Sequence, residues 1–166
     1  MRYSAKITGN SPAEELREPL EALLRGLGLE LVEVDVFHWK GRKGSPPGVQ
    51  VRVVVYKPES LGTDDCSRAH HAMLPWLEQA FEGLDLSVEV STPGINRMVR
   101  DGVELALYRG RGVRLWRTDI SDWSTGILEE AGEQGVTIKG TEGMIRLDYE
   151  IVAKARLDPL QEEYID

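Results

Sequence analysis

Thirteen residues near the middle of the chain, Val88 to Arg100 (VEVSTPGINRMVR), constrain the fold on both sides of them. Val88 and Val90 alternate with Glu89, the period of a half-buried strand. Ser91-Thr92-Pro93-Gly94 ends that strand, because Pro93 has no amide hydrogen to give a sheet partner and Gly94 tolerates a positive φ. Asn96, Arg97 and Arg100 carry the chain on in a polar segment, and a second run of short strands follows. One unit therefore closes where another begins. The reading divides the chain into an α+β domain, residues 1–96, and a second domain, residues 97–166, with a basic linker and an acidic tail.

The first half reads as α-β-β-α-β. Residues 1–10 carry little pattern. Ser11-Pro12 suits a helix start, with Ser11 as cap, Pro12 at the first position and Glu14 completing a capping box. Leu16, Leu20, Leu23, Leu24 and Leu27 recur at helical spacing, with Pro19 among them as a source of bending or of a later start. Gly26 and Gly28 stop the helix. Leu29–Trp39 and Val49–Tyr56 read as a long hairpin around the cationic Gly/Pro loop KGRKGSPPG. Thr63 caps a second helix, with Asp64 and Asp65 in its first turn, and Leu84–Ser91 is the third strand. This is a two-layer arrangement, helices on one face of a small sheet.

Beyond a short helix at Gly102–Tyr108 come five short β segments: Gly112–Arg117, Thr125–Glu130, Gly135–Lys139, Met144–Leu147 and Ile151–Leu157. Their spacing, with Gly-rich acidic turns, predicts a small barrel of the SH3 or Sm type. The tail from Pro159 is expected to be mobile.

Charge excludes some functions and favours others. The formal net charge is −8, which argues against coating nucleic acid by bulk attraction. Yet residues 97–117 hold six arginines (97, 100, 109, 111, 114, 117) against Asp101 and Glu104, a net +4. A basic stripe on an acidic body suits a specific docking surface. Tyr108 and Trp116 lie among the arginines, and arginine with aromatic residues is the composition of interface hot spots and RNA contacts. Trp116 and Trp123 bracket a polar loop, where a ligand groove or rim packing would each use them. No apolar run approaches bilayer length, residues 1–10 lack a signal-peptide core, and one cysteine, Cys66, permits no intrachain disulfide, so a cytoplasmic protein is expected.

Catalytic and metal sites find little support. His70 and His71 are adjacent on a helix and point about 100° apart, so they do not chelate one ion easily. Cys66 with His70 four residues on is a weak nucleophile pair, since a lone cysteine is more often a small core residue. Ser91-Thr92-Pro93-Gly94 lacks the spacing of a phosphate loop, and no hydrolase, zinc-protease or dinucleotide motif occurs. No cofactor and no catalytic residue are expected.

The order of elements and several motifs resemble the ribosome maturation factor RimP family. The resemblance spans about Glu14 to Leu157. It rests on Glu18–Leu23 (EPLEAL), Leu27–Val34 (LGLELVEV), Val51–Pro58 (VRVVVYKP), Thr63–Arg68 (TDDCSR) and Ile151–Leu157 (IVAKARL). Its most specific piece is Leu86–Arg97 (LSVEVSTPGINR), which is similar to the signature EVSSPGLDRPL. Where that signature has Arg-Pro-Leu this chain has Arg97-Met98-Val99, and the basic loop at 40–48 is long.

The resemblance implies an α+β N-terminal domain, an SH3/Sm-like barrel, and a non-enzymatic factor that binds the small (30S) ribosomal subunit during its maturation. It implies contact with ribosomal protein twelve of that subunit and nearby rRNA, chiefly through the barrel. An acidic chain is attracted to that basic protein. On this reading the protein is a monomer without membrane contact, and Arg97, Arg100, Arg111, Arg114, Trp116 and Trp123 lie on or beside the contact surface. The alternatives are an Sm-like RNA-binding module that forms rings and, more remotely, an enzyme using Cys66 and the histidines.

Overall fold

Leu16, Leu20 and Leu24 stand one helical turn apart, and the chain buries all three on one side of helix α1, Pro12–Arg25. The computed structural model describes residues 1–3, 12–58 and 63–164, so the capping role expected of Ser11 lies outside the described residues. Pro19 sits inside α1, and the helix continues through it. Burial of the leucine stripe offsets the lost backbone bond. The end of α1 is a Schellman turn: Gly28 is left-handed (φ 78°), its N–H donates to the Arg25 carbonyl, and the Leu29 N–H donates to that of Leu24.

Strand β1, Glu30–Trp39, pairs antiparallel with β2, Gly48–Tyr56, from Glu30 opposite Tyr56 to Trp39 opposite Gly48. Helix α2, Thr63–Ala80, then leads to β3, Asp85–Ser91, which lies parallel to β2. The sheet order is β1-β2-β3. Val49, Val51, Val53 and Val55 are fully buried on one face, against Leu20 and Leu24 of α1 and Ala69, Met73 and Leu77 of α2. Phe37 and Arg52 occupy the other face, with the Arg52 guanidinium 5.4 Å from the Phe37 ring centre and bonded to Glu89. The side chain of Thr63, expected as a cap, is outside the described residues.

A second sheet is built from β4 (Met98–Val99), β5 (Gly112–Arg117), β6 (Asp122–Ala131), β7 (Gly135–Gly140), β8 (Gly143–Asp148) and β9 (Val152–Leu157), in the order β4-β9-β5-β6-β7-β8. Every pair is antiparallel. A 3-10 turn at Tyr149–Ile151 returns the chain from β8 to β9 beside β5. Bulges between Trp116 and Arg117 and between Leu128 and Glu130 bend the sheet locally. The five segments expected from the sequence are all present, but among the described residues β4 and β8 end the sheet as edges, so these strands do not close on themselves. Val113, Leu115, Leu128, Val136, Ile138 and Val152 fill its buried side with Leu105 and Tyr108 of helix α3, Gly102–Ala106, and the turn after it.

The fold is a mixed α+β one in two compact units, Thr8–Pro93 and Met1–Ile7 with Gly94–Asp166. Both chain ends depart from the sequence reading. Met1 to Tyr3 belong with the second unit: the Arg2 carbonyl accepts from the Gly102 N–H, Tyr3 stacks on Tyr149, and the Met1 amino group donates to the carbonyls of Tyr149 and Val152. The tail, expected to be mobile, forms a 3-10 helix at Pro159–Tyr164. The Asp158 N–H bonds the Gly112 carbonyl, Gln161 packs over Gly112, where no side chain would fit, and Glu162 meets Arg111. Among the described residues no helix is long and apolar enough to cross a membrane.

Candidate functional site

Alternation along β5 sends Val113 and Leu115 inward and Arg114 and Trp116 outward. The register then decides what surrounds them. Trp116 faces Trp123 on β6 and Lys154 on β9; Arg114 faces Thr125 and Arg156. Met98 on β4 lies opposite Arg156 and is 44% exposed. Three strands thus place two tryptophans and three cations on one outward face.

The contacts within the face are close. The two indoles meet edge to face, 5.3 Å between centres at 76°. The Arg114 guanidinium lies 4.6 Å from the Trp123 ring centre. Lys154 Nζ lies 5.5 Å from Trp123 and 5.7 Å from Trp116. Each cation–π contact is worth about 0.5–1 kcal/mol at an exposed position. Among the described residues Arg114, Lys154 and Arg156 have no ion-pair partner, and the buried Nε–H groups of Arg114 and Arg156 have no hydrogen-bond partner. Indole planes and uncompensated cations can receive flat aromatic groups together with negative charge.

Four other arginines of the stripe are committed elsewhere. The Arg97 side chain is 15% exposed and its guanidinium bonds the fully buried Glu104 carboxylate. Arg100 bonds Asp101, and Arg111 pairs with Glu162 at 3.4 Å. Arg117 bonds Asp119 through two nitrogens, which holds that carboxyl below its ordinary range. Of the six predicted contact residues the structure gathers Arg114, Trp116 and Trp123 on one face and draws Arg97 into an interior ion pair. Sequence reasoning missed Lys154 and Arg156. Their signal was present in β9, where Lys154 and Arg156 flank the buried Ala155.

The groups weighed for chemistry have local explanations. Burial, and then the charge of Asp65, push the Cys66 thiol above its ordinary pKa, the wrong direction for a nucleophile. The His70 and His71 rings meet edge to face, and His71 Nδ1–H donates to the Ser67 carbonyl at 2.8 Å. Among the described residues no group of three metal-binding side chains converges.

Fold and face define a class: a two-unit α+β protein whose second unit presents an outward sheet face of tryptophan and cations. The model of the RimP N-terminal domain matches residues 19–96. A Borrelia turicatae protein named ribosome maturation factor RimP is 30% identical over 152 residues, 92% of this chain and 98% of its own. A Borrelia hermsii protein of the same name is 28% identical over the same shares of both chains. The chain belongs to the RimP family.

Proposed function

We propose that this protein is a ribosome maturation factor that assists assembly of the small (30S) subunit by binding and without chemistry. Its full-length likeness to proteins of that name supports the reading. The observation that carries it is the Arg114–Trp123 stack with Lys154 beside it, a docking face built from three strands. Arg114, Trp116, Trp123, Lys154 and Arg156 form its centre, and Arg100 and Arg111 belong to its neighbourhood.

The two functional domains divide near residue 96. The first is a two-layer α-β-β-α-β domain. The second is an opened SH3/Sm-like barrel; the return of β9 to the flank of β5 through a 3-10 turn supports this, because five strands then run in barrel order with one seam unpaired. The partner is a precursor of the small subunit, including its ribosomal protein twelve and nearby rRNA. The cationic face suits rRNA, and the acidic remainder of the chain suits a basic protein. The place of action is the cytoplasm, and the protein is a monomer. Sedimentation of a lysate at low salt tests this: the protein travels with small subunits or their precursors, and its confinement to free fractions refutes the reading.

The unpaired edges of β4 and β8 favour a second reading, an Sm-like module that joins edge to edge and binds RNA as a ring. Light scattering separates the two, since a ring exceeds the 18.6 kDa of one chain several-fold.

A further inference from the structure

A second cationic element stands in the first unit. Between Val36 and Pro58 the chain has five cations (Lys40, Arg42, Lys43, Arg52 and Lys57) and no carboxylate, although the whole carries −8. Arg52 is taken by Glu89, and Lys57 lies 4.0 Å from Asp65. Lys40, Arg42 and Lys43 have no ion pair with any described residue and are exposed in the loop joining β1 to β2.

This loop is shaped by its own packing. The Ser45 N–H donates to the Arg42 carbonyl at 2.8 Å, closing a turn that Gly44 completes at φ 92°. Gly41 lies so close to Ser45 and the Pro46-Pro47 backbone that a β-carbon there would come within 2.6 Å of the Ser45 carbonyl oxygen. The Pro47 carbonyl accepts from the Asp85 N–H, tying the base of the loop to β3. Lys40, Arg42 and Lys43 are therefore displayed from a preformed turn, which lowers the ordering cost of binding.

Beside the cations are two partly exposed aromatic rings. Trp39, the last residue of β1, rests against Gly48 and is 43% exposed; a β-carbon at position 48 would sit in its ring. Phe37, two residues back on the same face, is 48% exposed and has the Arg52 guanidinium over one side of its ring. Along a strand that spacing is about 6.6 Å. Cations alone would fit any polyanion. Cations next to half-exposed aromatic rings fit one whose charges alternate with flat rings, and in a duplex those rings are stacked out of reach.

We infer that the β1–β2 hairpin is a single-stranded RNA-binding finger, with Lys40, Arg42 and Lys43 on phosphates and Trp39 and Phe37 under unstacked bases. The finger and the proposed docking face share no residue and belong to different units, so either assignment can fail alone.

The test uses the full chain and a fluorescein-labelled, unstructured RNA of about a dozen nucleotides, with anisotropy followed from about 50 to about 300 mM salt. The variant K40Q/R42Q/K43Q binds at least about tenfold more weakly at the lowest salt, and its log–log salt slope falls by about 2, near 0.7 per lost phosphate contact on a single strand. The single substitution Arg42→Glu, which leaves the loop's glycines and prolines in place, weakens binding in the same direction. Thermal melts followed by circular dichroism match the parent. RNA affinity equal in parent and variants overturns the inference. So does displacement of the RNA by polyglutamate at equal charge, which would mark the finger as a site for an acidic protein.

Discussion

Arg97 grips Glu104 with two nitrogens along one edge of its guanidinium: Nη2 lies 2.6 Å from Oε1 and Nε lies 3.1 Å from Oε2. Glu104 is fully buried on α3, and Arg97 also holds the sheet through its backbone, its carbonyl accepting from the Leu157 N–H. A cation that looks like a surface feature in the sequence is thus the tie between the entry of the second unit and its short helix. Replacing Arg97 by Ala leaves a buried carboxylate without its partner and should cost about 3–5 kcal/mol in urea unfolding of the second unit. R97M/E104L, which removes both charges and keeps volume, should recover most of that loss. By contrast Arg111→Ala, which breaks an exposed pair with Glu162, should cost less than about 1 kcal/mol.

Tyr149 predicts an alkaline limit. Its hydroxyl donates to the Gly132 carbonyl at 2.6 Å, and burial, with the nearby Tyr3 and Asp101, pushes its pKa up to about 12 from 10.0. The unfolded chain gives up this proton first. Its contribution is therefore complete below pH 10 and is lost as the pH rises towards 12. Tyr149→Phe should be less stable than the parent at pH 8, for want of the hydrogen bond, and should show a shallower loss between pH 10 and 12 in urea melts.

Cys66 should be slow to react. Its thiol is partly buried against the core of the first unit and is raised above its ordinary pKa. Iodoacetamide at neutral pH should modify the native protein at least about tenfold more slowly than the urea-unfolded chain. Complete alkylation under native conditions should leave sedimentation with small subunits unchanged.

Periodic segments were the legible part of this fold. The leucines of α1, the valines of β2 and the five later strands are set by local alternation and by Gly/Pro punctuation, which the sequence states openly. Met98–Val99 escaped notice as a strand because two residues carry no period; their pairing with β9 exists only in three dimensions. The tail escaped for a similar reason: an acidic end looks solvated until Gly112 offers it a seat without a side chain. Charge was the hardest feature to read. Arg97 and Arg114 look equivalent along the chain, but one has a buried carboxylate seven residues on and the other faces Arg156 across a strand pair. Partners supplied by register, like Lys154 beside the two tryptophans, are invisible to linear spacing.

The central claim is that the outward face of β5, β6 and β9 is the docking surface for the maturing small subunit. The most direct measurement is the affinity of the variant R114Q/K154E for purified small-subunit precursors, beside its thermal melt. The account predicts a melt within a few degrees of the parent and affinity at least about tenfold weaker, roughly 1.4 kcal/mol. Parent-like affinity from a folded variant would contradict it.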